Sequence, residues 1–177
     1  MWVRRGVRLL PFMTGGRQER NRRAGTENVP SLAGLGVAAG IARATMPSTG
    51  QTTGALRDRL EQGILSRVPA TSVNGDARRR VPNTTNISFE GIEAESLLIA
   101  LDLEGVAVST GSACSSGSLE PSHVLRAMGL PNARTRNSLR FSLGPGTTVA
   151  DVDFVVERLP PLVTKLRQLT QRVLALR

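Results

Sequence analysis

The sequence predicts an α/β protein in which a short sheet is packed with helices, and three periodic segments carry that prediction. Residues 56–68 place Leu, Leu, Ile and Val four positions apart, which is the spacing of a helix with one core-facing side. Residues 85–90 and 138–143 instead alternate between a mainly apolar and a polar set of side chains, as strands buried on one face do. Strands separated by helices indicate a small α/β or α+β sandwich.

Composition narrows the class of protein before any motif is considered. The chain has 177 residues, enough for one domain with a real core or for a domain plus part of another, and 40% of them are hydrophobic. With one cysteine and one histidine it can form no internal disulfide and no structural zinc site of the usual kind. The cysteine content favours a reducing cytoplasm, and no metal site is expected.

The charge is strongly basic, with 23 Lys and Arg against 14 Asp and Glu and a net charge of +9, and every basic residue except Lys165 is arginine. Arginines 78–80 would suit phosphate contacts in a nucleic-acid-binding protein. The chain has no Tyr, one Trp and four Phe, too few aromatic rings to stack on bases, so we expect solvated arginine and no nucleic acid. No uninterrupted apolar run approaches the roughly 18 residues of a membrane span, so no membrane partner is expected.

The first helix is predicted to begin at Asn28, a good N-cap, with Pro30 in its first turn. The preceding residues 15–19 read as a loop. Arg23 and Thr26 bring a cation and a hydroxyl to the helix N-terminus, where an anion could bind, although the residues alone favour ordinary capping.

A Gly/Ala-rich helix is expected over 31–44, and the segment 46–50, which contains a proline and a glycine, is expected to end it. We place the domain boundary there, giving segments 1–46 and 47–177. Thr53 is a candidate N-cap for the next helix. Further on, residues 74–76 predict a turn, and Ala94, Leu97, Leu98 and Leu101 predict a helix.

Cys114 lies in the segment 109–121, which is rich in serine and glycine. A lone cysteine is usually a small buried hydrophobe, but these neighbours offer hydroxyls and backbone N–H groups that stabilise a thiolate. Residues 106–108 are expected to form a short buried strand before it. Pro121 is expected to open a helix after it, with Ser118 or Glu120 near the helix N-terminus.

Beyond the cysteine loop, a short helix should bury Val124, Leu125 and Met128 and end at Gly129, leaving His123 on the surface. In the strand 138–143, Arg140 stands between serines on the face opposite Leu139, Phe141 and Leu143. An arginine on a rigid strand can bind a carboxylate bidentately, although a surface arginine is the alternative that the residues alone favour. The last helix should start with a capping box at Thr148 and Asp151, and Pro160 and Pro161 should kink or split it.

Three motifs, STGSACSSGSLEPSHVLRAMG, GGRQERNRRAGTENVPSLAGLG and NSLRFSLGPGTT, resemble the cysteine desulfurases, pyridoxal-phosphate (PLP) enzymes of aminotransferase class V. The resemblance implies the C-terminal part of a PLP-transferase fold, mainly its small α+β domain, with 1–46 as the end of the large cofactor domain. Arg17 and Asn21 depart from it, standing where the family commonly has glycine.

The resemblance also implies the site. Cys114 would take the sulfur of L-cysteine as a persulfide while alanine leaves, Arg140 would hold the substrate carboxylate, and Thr26 would reach the PLP phosphate of the partner subunit in a homodimer. A sulfur-acceptor protein, such as an iron–sulfur scaffold, would receive the sulfur. Lys165 does not match the family's PLP lysine, whose segment would lie upstream of Met1, so we expect the chain alone to be incomplete.

Two functions therefore compete. The first is cysteine desulfurase-type sulfur transfer, and the second is a non-catalytic dimerisation or persulfide-relay module that accepts sulfur at Cys114 without generating it. A basic binding protein is a third possibility. Cofactor binding distinguishes the first two.

Overall fold

The computed structural model describes residues 2–110 and 122–175, which form two compact units, Met1–Met46 and Pro47–Arg177. The helices are α1 Gln18–Asn21, α2 Val29–Arg67, α3 Ala94–Leu103, α4 His123–Ala127, α5 Asn132–Arg136 and α6 Val149–Ala175, and the strands are β1 Thr71–Val73, β2 Thr84–Phe89 and β3 Ser138–Ser142. The assignment of the first unit to a large cofactor domain and of the second to a small domain stays a prediction.

The first unit contains a short left-handed turn where the sequence predicted a loop. Glu19, Arg20 and Asn21 in α1 have φ of 50°, 58° and 63°, values that residues with a Cβ rarely adopt. Asn21 is one of the positions where the resembled family commonly has glycine, and asparagine is among the residues that best tolerate this conformation. No glycine marks α1 itself, which is why sequence patterns gave no sign of the turn.

Helix α2 begins where the sequence predicted, with Asn28 as its cap: the Asn28 Oδ1 accepts the backbone N–H of Ser31 at 3.1 Å. The predicted break at 46–50 is wrong, since α2 runs through Pro47 to Arg67. A proline removes one helical hydrogen bond, but the turns around it keep theirs. Thr53 is accordingly not a cap, since it lies in the middle of α2. Its side chain is buried, and its hydroxyl donates to the Thr49 carbonyl at 2.7 Å.

Apolar side chains in the first unit's part of α2 are exposed, among them Val29, Leu32, Leu35, Val37 and Ile41. By length and composition alone α2 could cross a membrane, although it contains no long uninterrupted apolar run. A single helix of this kind is weak evidence, so this property does not by itself indicate a membrane.

The second unit is built on an antiparallel sheet of order β1-β2-β3. One face of the sheet packs Ile87, Phe89, Leu139 and Phe141 against side chains of α2, α3 and α6, and together they form the hydrophobic core. The helical stripe predicted over 56–68 is confirmed, since all four of its members are buried. The two predicted strands are likewise confirmed and their apolar members are buried, although β3 ends at Ser142 and the polar Ser88 and Ser138 are buried as well.

Helices α2 and α6 approach closely at Gly63. A Cβ added to Gly63 would lie 2.7 Å from the Val156 Cγ2 and 2.9 Å from its Cγ1, closer than such atoms pack. Nearby, the Arg59 guanidinium makes two hydrogen bonds to the Asp153 carboxylate, at 2.7 and 2.9 Å. The lack of a side chain at position 63 therefore permits this helix contact.

Helix α6 starts with the predicted capping box, in which Thr148 and Asp151 each accept the other's backbone N–H. The prediction that Pro160 and Pro161 split the helix is wrong, because α6 continues to Ala175. Leu159 and Val163 are fully buried on either side of the prolines. Their packing holds both flanking turns in place despite the missing N–H groups.

The segment around the cysteine loop differs from its prediction. Residues 106–108 are not a strand; Ala107 is exposed, and the segment joins the sheet only through a bridge between Ser109 and Arg140. In α4 only Leu125 is buried, whereas Val124 and Met128 are about half exposed. Gly129 does end α4, at φ 79°.

Candidate functional site

Cys114, the predicted nucleophile, lies outside the described residues, together with Ser118, Glu120 and Pro121. Its attachment point is described. Cys114 follows Ser109 by five residues in the sequence, and Ser109 itself is described.

Arg140 lies in the middle of a row of four residues that crosses the sheet. The backbone N–H of Arg140 donates to the Ser109 carbonyl at 2.6 Å, and the Ser109 N–H donates back at 3.2 Å. On its other side Arg140 is paired with Asn86, whose carbonyl accepts the Asn74 N–H at 2.8 Å. We call Asn74, Asn86, Arg140 and Ser109 the lateral row.

Side chains in the lateral row share one face of the sheet, because directly paired residues project to the same side. Leu139 and Phe141 point to the opposite, core face. Since both backbone groups of Arg140 face Ser109, its pairing with Asn86 is of the non-hydrogen-bonded kind, in which side chains are closest, with Cα atoms about 4.5 Å apart. The predicted placement of Arg140 opposite the apolar face is correct.

Arg140 is half-buried, and its guanidinium donates to no acceptor within residues 2–110 and 122–175. A cation that is partly removed from water and lacks a protein acceptor there is suited to an anionic ligand. The guanidinium presents its donors in a planar fork that matches a carboxylate. Its role in substrate binding remains a prediction.

A polar network lies beside Arg140 in the lateral row. The Arg134 Nε donates to the Asn74 Oδ1 at 2.7 Å, and the Asn74 Nδ2 donates to the Asn86 Oδ1 at 2.6 Å and to the Ser138 Oγ at 2.8 Å. The Ser138 Oγ in turn donates to the Arg134 carbonyl at 2.6 Å. Asn74 and Ser138 are buried, so these bonds fix their side chains.

Thr26 belongs to the first unit, and the lateral row belongs to the second. The Arg23 guanidinium turns back onto its own loop and donates to the Ala24 carbonyl at 3.1 Å and to the Gly25 carbonyl at 2.9 Å. With Asn28 capping α2, these contacts are those of the ordinary capping alternative. A cofactor contact from Thr26 stays a prediction.

Lys165 and Arg140, the sole lysine and the candidate carboxylate-binding arginine, lie on different sides of the sheet. Lys165, the sole lysine of the sequence, is exposed on α6, and α6 packs on the core face of the sheet. Arg140 projects from the other face, so the amine and the guanidinium do not converge. His123 is exposed at the start of α4, and the described part of the chain has no group of three or more metal-ligating side chains.

A second charged cluster, which the sequence did not reveal, surrounds Glu61 of α2. Its carboxylate accepts two hydrogen bonds from Arg80, at 2.6 and 3.0 Å, and one from the Thr85 hydroxyl at 2.6 Å. Burial alone would raise the pKa of Glu61, but these hydrogen bonds and the charges of Arg80 and Arg57 outweigh burial and lower it. The cluster joins α2 to β2 and to the Arg80 loop.

Comparison with known proteins assigns the chain to a family. The profile of the family described as aminotransferase class V matches residues 11–155. The chain belongs to this aminotransferase class V family. The predicted fold class and the resemblance to cysteine desulfurases are both confirmed.

Several relatives of this class V chain are cysteine desulfurases. It is 52% identical over 170 residues to a cysteine desulfurase of Gluconacetobacter diazotrophicus and 51% identical to the cysteine desulfurase NifS of Azotobacter vinelandii. Each match covers 96% of this chain but 42% of the relative. The chain thus spans about two fifths of the length of these curated relatives.

Solved structures agree with that relationship. A NifS-like protein superposes with a TM-score of 0.80 at 29% identity, covering 93% of this class V chain and 42% of the other. A NifS-like protein from Rickettsia africae gives a TM-score of 0.75 at 31% identity, covering 87% and 40%. The chain therefore has the fold of the corresponding part of NifS-like proteins, and PLP is the cofactor implied for the family.

The neighbours of Arg140 in the lateral row were missed from the sequence of this class V chain. Asn86 was recognised only as the polar half of a strand, and Asn74 only as part of a turn. The alternation of residues 85–90 did place Asn86 on the polar face, and that was the available signal. Nothing in the spacing paired Asn86 with a residue of β3, because register is set by the fold.

Proposed function

We propose that this chain carries the sulfur-transfer half of a cysteine desulfurase. In the overall reaction, the sulfur of L-cysteine passes to the thiol of Cys114, leaving L-alanine and a persulfide on Cys114. The observation that carries the proposal is the bridge between Ser109 and Arg140, which anchors the start of the cysteine loop beside the candidate carboxylate-binding arginine.

Arg140 would bind and orient the substrate. Its backbone is hydrogen-bonded to Ser109 on one side and paired with Asn86 on the other. The point from which the Arg140 side chain extends is therefore fixed. A fixed arginine fork sets the direction of a carboxylate, and with it the rest of a small amino acid. L-cysteine held in this way would have one fixed orientation when its sulfur meets the thiol of Cys114.

The cofactor and partners belong to the same proposal. PLP supplies the chemistry that labilises the carbon–sulfur bond, and the lysine that anchors it would come from residues other than Lys165. Thr26 would contact the PLP phosphate of a partner subunit in a homodimer. The acceptor of the sulfur would be a protein such as an iron–sulfur scaffold, in the cytoplasm, without nucleic acid or membrane.

The second candidate is a persulfide relay, and one observation favours it. Lys165 and Arg140 lie on opposite sides of the sheet, which supports a function that does not need PLP beside Arg140. A relay would receive its sulfur on Cys114 from a separate enzyme. It would need the loop and its anchor but no cofactor.

A sulfur-labelling experiment tests the role of Cys114. The chain is incubated with L-cysteine and a complete cysteine desulfurase, separated, and analysed by mass spectrometry for one added sulfur atom. We expect the addition on the wild-type chain and on Ser115→Ala, a matched change in the same loop, and none on Cys114→Ser. Sulfur bound to the Cys114→Ser chain would refute this proposal. The desulfurase and relay functions then separate by alanine formation when the donor enzyme is left out.

A further inference from the structure

Asn86 is the side chain paired directly with Arg140 across the sheet, and both are half-buried on the same face. An asparagine side chain has an acceptor oxygen and an amide nitrogen with two donors. Which of the two is turned toward a ligand decides what Asn86 can recognise.

The direction of the Asn86 amide follows from Arg134. A guanidinium can only donate, so the Asn74 atom 2.7 Å from the Arg134 Nε must be the acceptor Oδ1. The other Asn74 atom is then its Nδ2, a donor, and the Asn86 atom 2.6 Å away must be an acceptor, Oδ1. The Asn86 Nδ2 is therefore the end of the amide that is turned away from Asn74.

The two N–H groups of the Asn86 Nδ2 meet no acceptor within the described ranges 2–110 and 122–175. The guanidinium of Arg140, the cross-strand neighbour of Asn86, likewise meets no acceptor within these ranges. A half-buried cation beside a half-buried amide donor, both without acceptors, matches a group that has several lone pairs and a negative charge. A carboxylate has both.

We propose that Asn86 is a second carboxylate-binding residue: its Nδ2 donates to the α-carboxylate of the amino acid held by Arg140. Arg134 and Asn74 are positioning residues, because they fix which end of the Asn86 amide is outward. The inference rests on the proposed function in one respect, that Arg140 binds the carboxylate of L-cysteine or of the product L-alanine.

Nitrogen-15 NMR of the whole chain tests this directly, with L-alanine as the probe because it has no thiol. We expect the Asn86 side-chain amide and the Arg140 Nε–H signals to shift together and saturate with one Kd. Asn86→Asp replaces the donors by a repelling charge and should raise that Kd by about tenfold or more. Asn132→Asp, the same change at an exposed position of α5, should leave the Kd unchanged and serves as the matched control.

Arg134 provides the second arm. The glutamine of Arg134→Gln has an acceptor as well as a donor, so it no longer dictates the direction of the Asn74 amide. The alanine-induced shift of the Asn86 amide should therefore shrink in this variant. Arg134→Lys, whose side chain still only donates, should retain the shift. A role in folding alone would not move this signal selectively. A saturable Arg140 shift without an Asn86 shift, or an unchanged Kd in a folded Asn86→Asp chain, overturns the inference and leaves the proposed function standing. No shift at either residue overturns the inference and also removes Arg140 from the carboxylate site, while the role of Cys114 is decided by the sulfur-labelling experiment.

Discussion

Glu61 stays ionised in the fold because Arg80 and Thr85 stabilise its carboxylate against the cost of burial, and this makes stability depend on pH. Its pKa in the folded chain is lowered from the ordinary value of 4.5. A lowered pKa contributes stability that is fully present above pH 4.5 and is lost as the pH falls through the folded value. We expect the free energy of unfolding to decrease below about pH 4.5.

Glu61→Gln should remove the part of that pH dependence that Glu61 contributes, while Asp76, Asp151 and Asp153, whose pKa values are also lowered, keep theirs. At neutral pH the change should lower the free energy of unfolding by about 1.5–3 kcal/mol for lost charged hydrogen bonds. Urea unfolding at a series of pH values measures both. Glu157→Gln is the control, since Glu157 is exposed on α6. Equal stability of the Glu61→Gln and wild-type chains at pH 7 would show that the cluster contributes nothing net.

Single residues also mark how far sequence reasoning reaches. The alternation of polar and apolar residues placed Arg140 on the correct face of its strand, since a period of two fixes faces without any knowledge of partners. It could not identify Asn86 as the partner or Arg134 as the group that orients it. Those contacts join residues dozens of positions apart through strand register and a short helix.

At the scale of elements, the contact between α2 and α6 gives a further test. Gly63→Ala puts a methyl group 2.7 Å from the buried Val156 side chain, and overpacking of this kind costs about 1–3 kcal/mol. The gain in helix propensity offsets about 1 kcal/mol of it. We expect a net loss of up to about 2 kcal/mol in the free energy of unfolding, measured by urea denaturation.

Gly54→Ala is the matched control in the same helix, because its added Cβ would meet only the Pro82 Cβ at an ordinary 3.8 Å. That variant should be stabilised by up to about 1 kcal/mol. Combining Gly63→Ala with Val156→Ala should recover part of the loss from crowding, apart from the cost of truncating Val156. Equal effects of the two glycine substitutions would contradict the close helix contact.

Element boundaries failed where local signals were outweighed by packing. Pro47 predicted a helix end and prolines 160 and 161 a kink or split, yet both helices continue through them. Each proline forfeits a hydrogen bond, but buried side chains on adjoining turns hold α6 against the core. Strand β1 and helix α5 were missed because three and five residues are too short to show a period.

For the whole molecule, the decisive expectation concerns PLP. Lys165 is exposed and lies across the sheet from Arg140, so mixing the chain with PLP and reducing with borohydride should give no specific label at Lys165. Peptide mapping measures this, with Lys165→Arg as the background control. A specific adduct at Lys165 together with alanine production from cysteine would make the chain a self-sufficient enzyme.

The lateral row also has a consequence for how the protein is made. Asn86 and Arg140 are 54 positions apart (86 to 140), so the pairing of β3 with β2 closes a long stretch of chain, whereas β1 and β2 are close neighbours in sequence. Pairings that close long stretches form late. During synthesis Cys114 leaves the ribosome before the strand that carries Arg140. The thiol is therefore present in the growing chain before the arginine that would serve it has been made.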